Sequence, residues 1–423
     1  MKAGFARIEI TPEKQMPMAG YDRRRGLSQG RLDPLYASAL LVGNKSPELV
    51  ICSFDLLGMD SSFCTELGKM IGERLRLPPE RIIICATHTH SGPAGIFTNR
   101  ADYDREYMER LLYCGVNSAE NAIGDFSEAS VSHLPVRVKG VASPRNIGRR
   151  PGAELFEMRA DTLKFSRRAG NIMLCTFACH PTVLNEQNLL FSRDLPGAGA
   201  RFIRDGGRAI FLNGPCADLS TRYTRRGSDP GELTRLGGIW GEAVDGARGR
   251  ICPEKTASVK TFCAAIRLSG RTGMDSEIQS GMMDYLRKHI RSCGNPQERR
   301  EYSSRLAVLE RGEYTSRDGK IVPVELVDLG CLAMLCLPLE LSSYAGEACR
   351  QVVEKAVDKP VIPICYTGGY CGYLPSDQQL SDESCYEDLA SPYSRSAGNE
   401  LIKGIENMMS SVKGSSQKNG GGR

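Results

Sequence analysis

Residues 48–87 carry the pattern that most restricts the fold. The apolar run ELVICSFDLLGM predicts a strand that ends near Asp55, and SSFCTELGKMIGERLRL follows with apolar residues at helical spacing behind two serines suited to an N-cap. The run RIIICAT then predicts a second strand. A strand, a helix and a strand in this order form a β-α-β unit with parallel strands. Asp55 and His88 are therefore expected at one edge of a sheet.

The same alternation of apolar strands and helical patterns recurs along the chain. Four further apolar runs end in polar side chains suited to metal binding or catalysis: NIMLCTFACH ends in His180, RAIFLNGPCADLS runs into Asn213, Asp218 and Ser220, CLAMLCLPLEL reaches Glu340, and PVIPICYTGGYCGYL holds Tyr370 and Tyr373. We therefore predict an α/β protein with a mixed β-sheet core flanked by helices. Its active site is expected at the carboxyl ends of the strands.

The chain is expected to form one folded unit. No internal repeat and no long linker divides residues 1–413, so we predict a single catalytic domain over that range. Within it, residues 272–320 are highly charged and have a helical pattern, which predicts a helical insertion. The final stretch, GSSQKNGGGR at 414–423, has nothing to bury and is predicted to be a disordered tail.

Charge and hydropathy argue against several classes of partner. The formal net charge is +5 on 423 residues, and the arginine clusters, Arg225 and Arg226 among them, are short and scattered. We interpret them as solvated surface residues and predict no nucleic-acid partner. The N-terminus lacks the apolar region of a secretory signal, and no run approaches the ~18 apolar residues of a membrane span. These features predict a cytoplasmic protein without stable membrane insertion, and they give no indication of its oligomeric state.

The sixteen cysteines are also compatible with a cytoplasmic location. Several of them, including Cys331 and Cys336, lie in apolar runs, where cysteine behaves as a small hydrophobic residue. No CxxC pair occurs, which argues against a thiolate zinc site or a thioredoxin-like motif.

Two of the five histidines stand close together in CATHTHSGP, at the end of the second predicted strand. In an extended segment the side chains of His88 and His90 point to opposite faces. One ring would then bind a metal while the other has a different role, unless the backbone bends. His133 and His289 lie in charged or surface-like contexts, and no role is assigned to them.

The histidines combine with other strand-end residues into a recognisable set. Glu340 follows a nearly all-apolar run, and a carboxylate beside a buried strand needs a cation or a proton as its partner. Two histidines, a glutamate and one further oxygen ligand match a catalytic zinc site with an open position.

These motifs come in an order that resembles the neutral ceramidase family. The matching stretches are ATHTHSGP, FACHP ahead of SRDLPGAGARFI, an Asn-Gly loop that continues to Asp-x-Ser, LPLE and YCGYL, together with AGFARIEITP near the start. The resemblance extends from residue 3 to about residue 405. It implies that zinc is bound by His88, His180, Glu340 and Tyr373, that Ser220 is the nucleophile with Asp218 as an acid beside it, and that His90 faces the substrate or the serine.

An active-site arginine of the family has no direct counterpart. The family places it after the asparagine of an Asn-Arg motif, whereas SPRNIGRR has Ile147 after Asn146. Arg145 or Arg149 is therefore expected to supply the charge.

Other departures concern the substrate. ADLSTR stands where the family has Gly-Asp-Val-Ser-Pro-Asn, and the secretion signal and immunoglobulin-like domain typical of secreted members are missing. We predict a zinc-dependent hydrolase that cleaves a carboxamide in a soluble, non-lipid or short-acyl substrate. An esterase or lactonase acting on a small polar metabolite and a non-catalytic metal-binding sensor are the alternatives. Attack by Ser220 and attack by an activated water are both compatible with the sequence.

Overall fold

The computed structural model describes residues 1–145, 156–247, 249–252, 259–273, 276–312, 318–375 and 385–418. The strands in these ranges are β1 Lys2–Glu9, β2 Tyr36–Gly43, β3 Pro47–Phe54, β4 Ile82–Ala86, β5 Ser127–Glu128, β6 Ser130–Lys139, β7 Ser143–Pro144, β8 Glu157–Ser166, β9 Ile172–Phe177, β10 Ala209–Asn213, β11 Leu219–Ser220, β12 Arg250–Ile251, β13 Lys260–Leu268, β14 Lys320–Asp328, β15 Ala333–Cys336, β16 Glu340–Leu341, β17 Val361–Ile364 and β18 Tyr373–Leu374.

The α-helices in the same ranges are α1 Ser61–Leu75, α2 Arg105–Gly124, α3 Leu195–Ala200, α4 Pro230–Asp245, α5 Ser276–Ser292, α6 Pro296–Arg311, α7 Ser343–Val357, α8 Tyr386–Ala390 and α9 Ala397–Lys418. Short 3-10 turns lie at Pro79–Arg81 and Gly206–Arg208. None of these helices is both long and apolar enough to cross a lipid bilayer.

Three mixed sheets form the core of the described structure. Their strand orders are β4-β3-β2-β1-β5, β10-β9-β8-β6-β12 and β13-β14-β15-β17. Each sheet is antiparallel except for one parallel pair at its end, namely β3 with β4, β9 with β10, and β15 with β17. Helices pack on these sheets, as α2 does on β1 and β2. The predicted α/β class, with mixed sheets flanked by helices, is confirmed.

The predicted β-α-β unit is present as β3, α1 and β4. The two strands are parallel, with Phe54 opposite Ala86, and α1 buries Phe63 and Leu67 against the sheet. The predicted N-cap is wrong by one residue, because Asp60 takes that position and Ser61 begins the helix.

The parallel pairs determine where the candidate site lies. The chain leaves each of them at a carboxyl end, and the segments that follow β4, β9, β10, β15 and β17 carry the predicted site residues. We expected one sheet edge to supply all of them, but the strands belong to three sheets. The site therefore lies where three sheets meet, which holds its side chains from several directions.

The segment predicted as a helical insertion, 272–320, contains α5 and α6. These two helices share a small apolar cluster with α8, built from Leu286, Val308, Leu309 and Leu389 and separate from the main core. At the other end, α9 reaches Lys418 and so extends into the segment 414–423 that we predicted to be a tail, of which 419–423 lie outside the described residues.

One cysteine pair differs from the sequence interpretation. Cys252 and Cys331 form a disulfide, so Cys331 is not the small buried hydrophobic residue that its apolar context suggested. The other fourteen cysteines are free thiols. Disulfides are rare in cytosolic proteins, so this pair does not support the cytoplasmic location.

Candidate metal centre

The backbone at His88 leaves the extended conformation. Its φ is 66°, in the left-handed region that residues other than glycine rarely adopt. The turn is held by the amide of His88, which donates to the carbonyl of Leu56 at 2.9 Å. As a result, the Nε2 atoms of His88 and His90 lie 3.3 Å apart. The expectation that the two rings point to opposite faces is wrong, because the segment bends, as the sequence analysis allowed.

His180 reaches the same place from the second sheet. Its amide donates to the carbonyl of Leu219 at 3.0 Å, and the turn after it is held by the buried carboxylate of Asp194, which accepts the amides of Val183 and Leu184 at 3.1 and 3.0 Å. Burial raises the pKa of Asp194 to about 6. The ring of His180 thereby joins those of His88 and His90, and the three side chains each offer a nitrogen within 4.8 Å of the others.

The side chain of Asn213 ties the two histidine loops together. It lies at the end of β10, and its amide nitrogen donates to the carbonyls of Thr87 and Cys179, both at 3.2 Å. Because these carbonyls belong to the residues just before His88 and His180, Asn213 fixes the separation of the two rings.

Each of the three imidazoles is oriented by a backbone carbonyl. The Nδ1 atoms of His88, His90 and His180 lie 2.7, 2.9 and 2.7 Å from the carbonyl oxygens of Leu57, Gly20 and Cys216. A carbonyl only accepts hydrogen bonds, so each Nδ1 carries the proton and each Nε2 keeps a lone pair. This arrangement is typical of metal-ligating histidines, whose second nitrogen donates to a fixed acceptor.

Glu340 supplies a buried charge beside these rings. One of its carboxylate oxygens lies 2.7 Å from Nε2 of His180 and 3.3 Å from Nε2 of His88. Burial alone would raise the pKa of Glu340, but the contacts with His88 and His180 hold this pKa well below its usual range. Burial also lowers the pKa of His180 to about 4, and that of His90 falls well below its usual value. Imidazole nitrogens beside a carboxylate are a donor set that fits a divalent cation such as zinc.

A tyrosine hydroxyl contacts this carboxylate, and it belongs to Tyr370, whereas Tyr373 was the expected metal ligand. The hydroxyl of Tyr370 donates to the second carboxylate oxygen of Glu340 at 2.6 Å. Tyr373 pairs with Glu340 through the backbone, where β16 meets β18, and its side chain lines the neighbouring cavity without a hydrogen bond to Glu340. Both tyrosines lie in the same predicted run, and the family resemblance selected only Tyr373.

The remaining predicted residues fall in different places. Ser220 lines the cavity, and its hydroxyl accepts the amide of Arg222 at 3.3 Å. Asp218 does not line the cavity, since its carboxylate accepts the amide and the hydroxyl of Ser343, both at 2.6 Å, at the start of α7. Arg145 lines the cavity and pairs with Glu387 at 2.7 Å.

Arg149, the alternative to Arg145, lies outside the described residues. Of the two arginines that the sequence analysis offered, Arg145 is thus the one whose position in the site is known.

A cavity of about 140 Å³ opens beside the histidines. Its wall includes residues from both sides of the site and from the helical insertion: Gly20, Tyr21, Asp22, Arg23, His90, Arg145, His180, Thr182, Glu186, Ser220, Arg222, Arg225, Arg300, Ser304, Ala307, Tyr373 and Tyr386. The position of arginines in the cavity wall was not predicted, because a short cluster of basic residues does not show which of its members points into the fold. Arg225 is half-buried in this wall, whereas Arg226 beside it is exposed.

Comparison with known proteins places this architecture in one class. No family model matches the sequence. Among solved structures, one described as a ceramidase complexed with C2 superposes with a TM-score of 0.74 at 16% identity, over 98% of this chain and 75% of that one. The neutral ceramidase from Pseudomonas aeruginosa gives 0.72 at 17% identity, over 97% and 74%.

The protein is therefore an α/β protein with a buried three-histidine centre able to bind a metal. More specifically, its fold is that of the neutral ceramidases, as the motifs predicted.

Asn213→Ala is expected to weaken metal binding by roughly 10–100-fold, the range for partners that orient metal ligands. The variant leaves the carbonyls of Thr87 and Cys179 without this donor, so the loops that carry His88 and His180 lose their common support. Competition with a chromogenic chelator measures the affinity. Asn407→Ala, on the exposed side of α9, is the control, and equal affinities in both variants would remove Asn213 from the support of the site.

Proposed function

We propose that the protein is a zinc-dependent hydrolase that cleaves a carboxamide bond in a small molecule. One observation carries this proposal: the Nε2 atoms of His88 and His90 are 3.3 Å apart, and the Nδ1 proton of each ring is already committed to a carbonyl. Two lone pairs at this distance repel each other unless a proton or a cation lies between them. Burial lowers the pKa of His90, which disfavours a proton on that ring and favours a cation as the partner.

The donors also suit the chemistry. Nitrogen and carboxylate ligands are those that zinc prefers in catalytic sites, and His88, His90, His180 and Glu340 would hold the ion. When bound, zinc supplies a Lewis acid that polarises a carbonyl and lowers the pKa of a water molecule to about 7. His90 and His180 line the cavity, so a substrate in the cavity reaches the ion directly.

Amide cleavage is supported by the shared fold. The two solved relatives are both described as ceramidases, and one of them is a neutral ceramidase. The motifs around His88, His180, Ser220 and Glu340 follow the order of that family in this sequence.

Two catalytic roles expected from the sequence change with this geometry. His90 fits a third metal ligand better than a proton carrier, since neither of its ring nitrogens is left to exchange a proton with the substrate. Asp218 holds the start of α7 through Ser343, so it positions the loop that carries Ser220 and is not directed at the cavity.

Ser220 is proposed to orient the substrate and not to attack it. A serine nucleophile needs an adjacent base, and the carbonyl bonds and the metal position together use both nitrogens of His88, His90 and His180. Rapid-quench kinetics with a chromogenic amide is expected to give no burst, and Ser220→Ala is expected to keep its metal. A burst of about one product per active site, abolished in Ser220→Ala, would establish a covalent acyl-enzyme instead.

The substrate is proposed to be a soluble molecule that either is not a lipid or has only a short acyl group. Five arginines of the described residues line the cavity, which favours a polar ligand over two hydrocarbon chains. Extension of the acyl group from two to about twelve carbons is expected to change kcat/KM by less than ~10-fold, although each buried CH₂ is worth about 0.8 kcal/mol. Strong preference for long-chain ceramide, or tight binding to anionic vesicles, would contradict this.

A direct experiment tests the function as a whole. Purified protein is expected to contain about one zinc per chain, and a strong chelator should abolish hydrolysis of an amide panel, with recovery on addition of zinc. Untargeted substrate profiling in lysate, with and without chelator, identifies the natural substrate. Full metal content with no turnover of amides or esters would show a metal-binding sensor instead of an enzyme.

A cytoplasmic location is part of the proposal and is supported by fourteen free cysteines, most of them buried. Fractionation of cells that express the tagged chain tests it. Recovery outside the cytoplasm would agree with the Cys252–Cys331 disulfide.

A further inference from the structure

The cavity wall has more positive than negative charge. Among the described residues, Arg23, Arg145, Arg222, Arg225 and Arg300 line it, against two carboxylates, those of Asp22 and Glu186. Arginine is also the residue that best matches the geometry of carboxylate and phosphate groups, through two parallel hydrogen bonds.

Most of these arginines are already paired. Arg145 contacts Glu387 at 2.7 Å, and Arg300 lies 3.5 Å from Glu186. Arg222 forms an ion pair with Glu301. Their charges are therefore largely balanced within the protein.

Arg225 is different. Its guanidinium donates to the backbone carbonyls of Thr182 and Val183, and no carboxylate of the described residues forms an ion pair with it. Burial is the main cause that lowers the pKa of Arg225, and the charges of Arg222 and Arg300 add to it, whereas Tyr21 and Asp194 act in the opposite direction. A half-buried guanidinium of this kind is stabilised by any anion that enters the cavity.

The position of Arg225 relates this charge to the metal centre. Thr182 lies two residues after His180, and the amide of Thr182 donates to the carbonyl of His180 at 2.8 Å. The guanidinium is thus anchored to the same turn as a candidate metal ligand. Ser220 and Arg222 lie on the adjacent loop, also two residues apart, and both line the cavity.

The helical insertion completes this side of the cavity. Arg300, Ser304 and Ala307 of α6 line it, and ion pairs of Arg222 with Glu301 and of Arg300 with Glu186 tie the helix to the rim. Arginines of this wall therefore come both from the segment after Ser220 and from α6.

We infer that the substrate carries an anionic group, a carboxylate or a phosphate, close to its scissile bond, and that Arg225 is the residue that selects it, with Arg222 and Arg300 beside it. This inference rests on the proposed hydrolase function and specifies its substrate class. An N-acyl amino acid or an N-acyl amino alcohol phosphate has the required chemistry, since each places an anion a few bonds from an amide.

Two matched substrate pairs test the inference with the zinc-loaded protein. The first pair is an N-acetyl amino acid and its carboxamide, and the second is N-acetylethanolamine phosphate and N-acetylethanolamine. The wild type is expected to favour the charged member of at least one pair by ~10-fold or more in kcat/KM, the usual scale of a hydrogen-bonded charge. The pair with the larger ratio distinguishes carboxylate from phosphate, and the ratio should fall as salt is added.

Arg225→Met is expected to lower the charged-to-neutral ratio of kcat/KM by ~10-fold, through a higher KM for the charged substrate. Arg226→Met is the matched control, because Arg226 is the next residue, carries the same charge and is exposed. Arg300→Gln should reduce the preference to a smaller extent, and it remains informative if Arg225→Met does not fold. Equal kcat/KM for both members of each pair in the wild type, or equal effects of Arg225→Met and Arg226→Met, would overturn the inference.

A binding measurement separates failure of this inference from failure of the proposed function. Calorimetric titration with inorganic phosphate needs no turnover, and phosphate is expected to bind the wild type and Arg226→Met alike but Arg225→Met at least ~10-fold more weakly. If no amide is hydrolysed, the proposed function is wrong, and phosphate binding that depends on Arg225 still supports the anion site. Absence of phosphate and carboxylate binding to the wild type would overturn the anion site even if neutral amides are hydrolysed.

Discussion

His90→Ala is expected to lose bound zinc to the same extent as His88→Ala and His180→Ala. Removal of a ligand should weaken binding by more than the roughly 10–100-fold that loss of a supporting residue costs, and turnover should fall by ~100-fold or more in all three variants. The reason is the left-handed turn at His88, which brings His90 within 3.3 Å of its neighbour. Elemental analysis after dialysis, followed by activity measurement at fixed zinc, checks the result.

The control for this series is His289→Ala. His289 lies on α5, half-buried against Tyr285 and Tyr302 and outside the site, so its loss should leave zinc content and turnover unchanged. If His90→Ala instead keeps its zinc and loses only turnover, His90 is a proton carrier, as an extended segment would have required. If His180→Ala keeps its full zinc content, His180 is not a ligand.

Glu340→Gln is expected to lower the melting temperature when zinc is bound but not after zinc is removed. With zinc bound, the loss of an anionic ligand lowers the affinity, so the melting temperature falls and turnover drops by ~100-fold or more. After chelation near pH 8, the wild type keeps the fully buried carboxyl group of Glu340 without a cation, beside His180, whose pKa is lowered by burial to about 4. A neutral glutamine avoids that cost, so the metal-free variant should melt at the same temperature as the metal-free wild type or higher.

Scanning calorimetry of four samples, wild type and variant with and without zinc, gives this comparison. Glu66→Gln, exposed on α1, should leave both states unchanged. The same destabilisation of Glu340→Gln in both states would mean that Glu340 is held by hydrogen bonds with His180 and Tyr370 and is not a partner of a cation.

The sequence predicted those features of the site that depend on local pattern. Apolar runs that end in polar residues located His88, His180 and Glu340 at strand ends, and the structure brings these three side chains into contact. The β-α-β unit of β3, α1 and β4 was predicted for the same reason, since both its strands and its helix have a clear periodicity.

The role of His90 was not predictable in this way. Periodicity assumes a regular backbone, whereas the φ of His88 depends on the segments that receive its hydrogen bonds, including the carbonyls of Leu56 and Leu57. The number of sheets was missed for a related reason, because strand patterns do not specify which strands pair across the chain.

Local sequence pattern also does not determine which of two neighbouring arginines enters the cavity. Arg225 and Arg226 are neighbours of identical type, and only the fold turns one into the cavity and leaves the other exposed. Tyr370 and Tyr373 are likewise three residues apart in one run, and only the three-dimensional arrangement selects Tyr370 as the hydroxyl on Glu340.

The helix pair α5 and α6 has its own apolar cluster with α8, while the ligand candidates are held by loops of the three sheets. Changes on the cavity side of α6, at Arg300, Ser304 and Ala307, can therefore alter the entrance without disturbing the histidines. Part of the substrate contact is thus carried by a helix pair that packs apart from the ligand candidates. Exchange of this helix pair between proteins of the same fold would be a practical route to new substrate ranges on one metal centre.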